Sequence, residues 1–429
     1  MLVGDRRIWS VAAVAATAVL VLGACSSGHH SAQGTSPVAN STQSGQSGDA
    51  TTSPSSKAPA PAAPAARLTS NLADGAQDVS PTARVTVNAA GGTLSSVTMT
   101  NPDGKVVTGA FSADKRSWHV AEDLGYGKTY GVTAKAVNPD GRSVTRTTHF
   151  TTVSPPNMTM PYLDTTGGAA IDSGATYGVG FVTSVHFDEP ISDKAAAERT
   201  LSVTTTPAQQ GSWYWMDDQN VHWRPRVYYQ AGTKVTVAAN VYGKQVSPGL
   251  WGQADQSVSF RIGASHISVA DDKTKIVTVY QNGKVIKHMP TSMGKGGSTV
   301  DKGKTITFWT QPGTYTVLDQ ANPVRMDSRT FGLSLDAGGY NVLVYWATRI
   351  STDGVYVHAA PWSVWAQGNT DTSHGCLNVS PDNAQWFYKW SQVGDVVQVK
   401  HTGGAPLEVW QNGDWSVPWS EWVAGSAIH

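Results

Sequence analysis

Cys376 stands in the run Ser373-His374-Gly375-Cys376-Leu377-Asn378-Val379-Ser380, two positions after His374 and eighteen after His358. A cysteine is a usable nucleophile only as its thiolate, so it needs a base or a positive partner close by. His358 and His374 are the two imidazoles within reach in sequence. Gly375 leaves the backbone free to turn tightly, so that the amides of Gly375 and Cys376 can point at an oxyanion on an attacked carbonyl. Three other readings compete. His358, His374 and Cys376 could be zinc ligands with water as the fourth, but they crowd a tight Gly turn and no acid or second Cys completes a set. Cys376 could be an inert buried thiol. It could also form a disulfide with Cys25, the other cysteine of the chain. A lone Cys near a His does not decide among these.

The elements around these residues read as strands. Gly354 to His358 ends on the first imidazole, and further strands are expected at Thr314 to Leu318, Val342 to Trp346 and Asp395 to Lys400. Lys275-Ile276-Val277-Thr278-Val279-Tyr280, Asn282-Gly283 and Lys284-Val285-Ile286-Lys287 predict a hairpin with a primed turn. One helix is expected, capped by Ser380, with Pro381 in its first position and Trp386, Phe387 and Trp390 on one apolar face. Gly394 is expected to end it.

Upstream, residues 67–152 and 153–263 look like two copies of one unit. Trp118 precedes Gly127 by nine positions and Trp223 precedes Gly232 by nine. An alternating strand follows each glycine, and each copy closes on a strand ending at Phe150 or Phe260. Asn101-Pro102-Asp103-Gly104 and Asn138-Pro139-Asp140-Gly141 are turn signals, and Pro155-Pro156 marks the seam. Period-two strands in units of this size predict immunoglobulin-like β-sandwiches. The fold class is therefore all-β: two immunoglobulin-like sandwiches, a third β domain at 264–400 with one short helix, and a Trp-rich tail at 401–429. In that tail Trp410, Trp415, Trp419 and Trp422 are expected to be buried on a domain surface, with sugar stacking as the alternative.

Composition agrees with many short strands. Charged residues are 14%, against 43 Gly, 16 Trp and 14 Tyr in 429 residues. Lys+Arg (31) balance Asp+Glu (31), so no global field favours nucleic acid. The N-terminus reads as an export segment over 1–24: Arg6 and Arg7, an apolar stretch from Ile8 to Leu22, then Leu22-Gly23-Ala24-Cys25. It resembles a bacterial lipobox, which implies a lipid on Cys25 and excludes a disulfide from it; an ordinary signal peptide cleaved after Ala24 is the alternative. Residues 25–66 carry almost no large apolar side chain and predict a disordered tether, on the order of 100 Å at full extension. The remaining histidines form no spaced cluster, and no cofactor or metal is expected.

His358, fourteen intervening residues, and then Ser373-His374-Gly375-Cys376-Leu377-Asn378 resemble the signature of the L,D-transpeptidases. The layout of lipobox, tether, two immunoglobulin-like modules, catalytic β-sandwich and Trp-rich tail is similar to that of the mycobacterial members. The resemblance implies that Cys376 attacks the L-to-D peptide bond of a peptidoglycan tetrapeptide stem, with release of D-alanine. The acyl group then passes to an amine on a neighbouring stem as a 3→3 cross-link. It implies His358 as base, the backbone carbonyl of Ala359 as its partner, and Ser373, His374 and Gly375 as loop and oxyanion residues. Ala359 stands where relatives carry Ser, which a carbonyl role tolerates. Asn378, Tyr340, Asp353 and Gly354 fall at substrate contacts, Asp353 in place of a Ser. Met326, Phe331 and Trp362 are expected to line a tunnel under a flap at about Asn322 to Trp346. In Gln311-Pro312-Gly313 the usual residue between Pro and Gly is missing, which predicts a reshaped loop. A carbapenem is expected to acylate Cys376, and the protein to sit lipid-anchored on the outer face of the plasma membrane. Hydrolysis of stems, or a non-catalytic wall-binding role, are the alternatives.

Overall fold

Strands with apolar residues at every second position bury one face and leave the other in solvent, and strands make up most of the regular secondary structure of this chain. The computed structural model describes residues 62–428. The expected export segment, Cys25 and the tether up to residue 61 lie outside the described residues. Ala63 and Pro64 are held against the first sandwich, because the Asn138 side-chain amide donates to both of their carbonyls at 3.2 and 3.1 Å.

The first sandwich pairs the sheet of Arg67–Ser70, Thr86–Ala90, Ser117–Val120 and Gly109–Phe111 with a second sheet. That second sheet holds Ala76–Val79, Ser143–Thr152, Thr129–Val137 and Thr93–Thr100. The second sandwich repeats the same strand order. Pro161–Thr165, Thr183–Phe187, Asn220–Pro225 and Gly211–Trp215 form one sheet; Thr176–Tyr177, Gln256–Ile262, Lys234–Ala239 and Leu201–Thr206 form the other. In both copies one short strand pairs in parallel with the closing strand. The repeat extends to packing detail. Trp118 lies against Gly109, and Trp223 against Gly211, so that a Cβ on either glycine would meet the indole at 1.9 or 2.0 Å. Each glycine sits two residues before the strand partner of its Trp.

The third domain carries the functional residues. Lys284–Pro290, Ile276–Gln281, His266–Asp271, Val396–Lys400 and Gly313–Thr316 form a five-stranded sheet in that order. The expected hairpin is present, with Asn282 and Gly283 both at positive φ as a primed turn requires. A second sheet orders Asp319–Ala321, Ala347–Arg349, Tyr356–Ala359 and Leu377–Val379. Met289, Tyr315, Val357, Leu377 and Phe387 fill the core between the sheets. The helix Pro381–Trp390 begins at Ser380, whose Oγ accepts from the Asn383 amide at 3.3 Å, with Pro381 in its first turn. It stops at Ser391, not at Gly394. Ser391 turns extended, and Gly394 instead forms a tight corner against Phe181 of the second sandwich. The tail folds into short helical turns, Val409–Gln411 and Asp414–Ser416, and a helix, Trp419–Ala424. Trp422 is fully buried and Trp415 half-buried, whereas Trp410 is 55% exposed.

Candidate active site

The strand Leu377–Val379 pairs in parallel with Tyr356–Ala359, with His358 opposite Asn378. This register carries Cys376, one residue before its strand, and His358 to the wall of one cavity of about 290 Å³. Ser373, His374, Asn378 and Trp362 share that wall, and Met326 and Tyr340 close it from the flap. The flap is the hairpin Val324–Asp327 with Asn341–Val344. Val342, Val344 and Thr372 also face the cavity. These three are not among the residues expected from sequence, although the two valines follow from period-two alternation after Tyr340.

Cys376 is buried, and its thiol donates to the Gly354 carbonyl at 3.7 Å. Burial pushes the thiol up to about 11; the Tyr356 amide aimed at the sulfur opposes this, and the Asp353 charge adds to it. His358 is also buried. Burial holds its imidazole down to about 4, against the hydrogen bond to Ala359. The ring Nδ1 lies 2.9 Å from the Ala359 carbonyl. A carbonyl can only accept, so Nδ1 carries the proton and Nε2 is the basic nitrogen. Ala359 thus orients the imidazole through its backbone.

The turn from Ser373 to Cys376 is clamped from within. The Ser373 hydroxyl donates to the Cys376 carbonyl at 2.7 Å and accepts from the Gly375 amide at 3.0 Å. The Gly375 amide is therefore already engaged and is not free to serve an oxyanion. The amides of His374 and Cys376 have no acceptor among the described residues. Gly375 itself adopts a φ of 138°, a conformation that favours glycine.

His374 is half-buried between Phe308 and Tyr340, with ring centroids at 5.0 and 5.1 Å. Burial and the nearby Lys295 ammonium lower its affinity for a proton, and a hydrogen bond to Gly338 partly restores it. It is a flap contact more than a base. Burial, and then the facing Cys376, make the Tyr340 phenol harder to ionise. Asn378 donates from Nδ2 to Ser363 Oγ at 3.2 Å.

Three residues expected as substrate contacts or tunnel lining are not among those that line the cavity. Asp353 is exposed, and its two oxygens accept from Ser351 Oγ at 2.5 Å and Gln411 Nε2 at 2.6 Å, so it ties a loop to the tail. Phe331 joins Tyr340 at 6.2 Å and packs on a small cluster with Ile306, Phe308 and Leu333, outside the cavity lining. Gly354 contributes its carbonyl to the thiol without lining the cavity. The shortened Gln311-Pro312-Gly313 loop is pinned by the tail, since the Leu407 amide donates to Pro312 at 3.0 Å. Among the described residues no group of three His, Cys, Asp or Glu side chains is arranged to hold a metal ion.

Comparison with known proteins gives a consistent set of relatives. Residues 265–399 match the L,D-transpeptidase catalytic domain family, and residues 76–245 match the bacterial Ig domain family across both sandwiches. The chain is similar to L,D-transpeptidase 2 of Mycobacterium tuberculosis, 43% identical over 363 residues, 84% of this chain and 85% of that protein. It is 36% identical to L,D-transpeptidase 5 of the same species over 370 residues, 84% of this chain and 77% of the other. Among solved structures, an L,D-transpeptidase in complex with imipenem is 33% identical over 56% of this chain and 99% of its own, with a TM-score of 0.46.

Proposed function

The chain belongs to the L,D-transpeptidase family, and on that footing we propose that it cross-links peptidoglycan stem peptides through a Cys376 thioester. The observation that carries this reading is the shared cavity. A buried thiol and an imidazole fixed in one tautomer line it under a largely apolar flap, and the turn that carries the thiol holds two main-chain amides, of His374 and Cys376, without an acceptor among the described residues.

The chemistry follows from those groups. The Cys376 thiol turns from the Gly354 carbonyl toward His358 Nε2, which takes its proton as sulfur attacks the scissile carbonyl carbon. The oxyanion forms against the His374 and Cys376 amides. Collapse of the tetrahedral intermediate breaks the C–N bond, and the imidazolium returns its proton to the departing D-alanine amine. The thioester then meets a side-chain amine of a second stem. His358 removes one proton from that nitrogen as it attacks, the C–S bond breaks, and the thiol is restored by the same proton. The product is a 3→3 amide. Met326, Tyr340, Val342 and Val344 keep water from the thioester, favouring amine over hydrolysis.

The Leu22-Gly23-Ala24-Cys25 motif supports a lipid anchor on the outer face of the plasma membrane, with the tether expected over 25–66 holding the folded part away from it. A strained lactam carbonyl presents the same electrophile as the stem, so a carbapenem should trap the thiol as a slowly hydrolysed thioester.

Incubation of the protein with a disaccharide-tetrapeptide, followed by mass analysis, tests the proposal. Dimers lacking one D-alanine are the expected product. Tripeptide monomers alone would make the protein a carboxypeptidase, and unchanged turnover by Cys376→Ala would remove the thioester altogether.

A further inference from the structure

Thr310 lies 65 residues before Gly375 in sequence, yet its hydroxyl donates to the Gly375 carbonyl at 2.7 Å. The same oxygen accepts from the Gly294 amide at 3.0 Å. A carbonyl can only accept and an amide can only donate, so both bonds have a fixed direction. Thr310 has no solvent exposure, and no water competes for either bond.

The consequence is geometric. The Gly375 carbonyl and the Cys376 N–H belong to one peptide unit, which is trans and planar, so they point in opposite directions. Whatever holds the carbonyl therefore aims the amide. Other groups in the turn are held by neighbours: the Ser373 amide donates to Met293 at 3.0 Å, and Ser373 Oγ clasps the Gly375 amide and the Cys376 carbonyl. Gly375 has no side chain to restrict its own rotation, and its carbonyl rests on Thr310.

We infer that Thr310 is a positioning residue of the acyl-transfer site, its buried hydroxyl fixing the Gly375–Cys376 peptide so that the Cys376 N–H faces the developing oxyanion. This deepens the proposed function and rests on it, because an oxyanion forms only if Cys376 attacks a carbonyl. Thr310 touches no reacting atom. It acts through the peptide it holds.

The experiment compares two reactions of the same sulfur on the full chain. Carbapenem acylation passes through a tetrahedral oxyanion, whereas iodoacetamide alkylation displaces iodide at a saturated carbon and makes none. Thr310→Val keeps the shape and removes the hydroxyl. Acylation is expected to fall by about 10- to 100-fold, less than the about 100- to 1,000-fold of removing an oxyanion donor outright, because the Cys376 amide stays and only its aim is lost. Alkylation is expected to change by less than about threefold, and Thr310→Ser to restore acylation. Unchanged acylation in the Val variant, a parallel fall in alkylation, or no rescue by Ser would each overturn the inference. Should the Val variant fail to fold, the crystal structure of the wild-type carbapenem adduct decides instead. The acyl oxygen is expected within hydrogen-bond distance of the Cys376 nitrogen with Gly375 still on Thr310; an acyl oxygen turned away overturns it. Absence of any wild-type adduct would remove the proposed function and this inference together, while a wild-type adduct with an indifferent Thr310→Val removes the inference alone.

Discussion

At the scale of single residues, the site rests as a neutral pair and not as a thiolate–imidazolium pair. Burial sets this: it raises the thiol to about 11 and lowers the imidazole to about 4. In the proposed reaction, proton transfer then accompanies attack. Iodoacetamide alkylation of the free protein is accordingly expected to be slow at pH 7 and to climb between pH 9 and about 11, where the thiol ionises. Carbapenem acylation is expected to be flat from about pH 6 to 8 and to decline toward pH 4 as the base is protonated. An alkylation plateau already reached at pH 7 would show a preformed ion pair and contradict this. Stability follows the same signs. The raised Cys376 value makes its contribution complete below the ordinary thiol range and lost as pH rises toward 11; the depressed His358 value makes its contribution complete above 6.5 and lost as pH falls toward 4. Cys376→Ala should therefore flatten the alkaline limb of the melting temperature, measured against wild type. Cys376 and His358, the side chains proposed to react, were legible through the family signature that they share with Ser373-His374-Gly375, since a Cys near a His alone leaves other readings open. Thr310 was not, since one hydroxyl among many carries no signal until the fold brings it to Gly375. For Asp353, expected as a substrate contact, nothing local in sequence reveals that Gln411, 58 positions on, donates to one of its oxygens.

Among the elements, the flap tip is braced by one buried hydroxyl besides its backbone bonds. Ser328 has no solvent exposure, and its Oγ accepts from the Tyr340 amide at 2.8 Å and donates to the Leu333 carbonyl at 2.8 Å. It thereby joins the two ends of the flap tip, between the strands Val324–Asp327 and Asn341–Val344. Ser328→Ala leaves a buried donor and a buried acceptor unpaired, at a cost of about 1–3 kcal/mol. The loss should be local. Hydrogen exchange is expected to quicken over 328–340 while the strands Tyr356–Ala359 and Leu377–Val379 keep their protection, and KM for the stem peptide should rise more than kcat falls. A uniform loss of protection across the domain would mean that Ser328 serves the core and not the flap. Strand alternation made the flap's second strand readable, but the turn between the strands has no periodic pattern. Its shape comes from Asp327 and Ser328 bonding to the backbone, as in Asp327 accepting from the Arg329 amide at 3.0 Å. The helix shows the same limit. Its start was written in Ser380-Pro381, whereas its end is set by Ser391, and Gly394 answers to Phe181 in another domain.

At the scale of the whole molecule, the last residues of the chain bridge the second sandwich and the catalytic domain. The tail spacing Trp410, Trp415, Trp419 and Trp422 told only of aromatic surface to be covered, because what covers it lies some two hundred positions away. Arg224 of the second sandwich sits among three of these rings, its guanidinium 4.7, 5.4 and 4.5 Å from Trp415, Trp419 and Trp422, and donates to the Val417 carbonyl at 2.8 Å. The Trp422 indole donates to Ser212 at 2.9 Å, and that of Trp415 to Gly180 at 2.7 Å. The tail also grips the catalytic domain: the Asn412 side-chain amide donates to Thr316 and Ile350, each at 2.8 Å. Val396 of the catalytic sheet lies in the core of the second sandwich. From these contacts the second sandwich and the catalytic domain are expected to unfold together, whereas the first sandwich meets the second through fewer groups, such as Tyr242 Oη donating to Leu124 at 2.6 Å. Trp422→Ala removes a ring with no solvent exposure and leaves the buried Arg224 without one of its faces. The expected cost is about 3–5 kcal/mol, as for other buried aromatics cut to Ala. In calorimetry the variant's joint transition of second sandwich and catalytic domain should move down or split, while that of the first sandwich stays in place. Carbapenem acylation well below the new melting temperature should keep its wild-type rate, since Trp422 does not line the cavity. If instead the transition is unmoved, the tail is a passive cover, and the two domains are joined by Val396 and its neighbours alone.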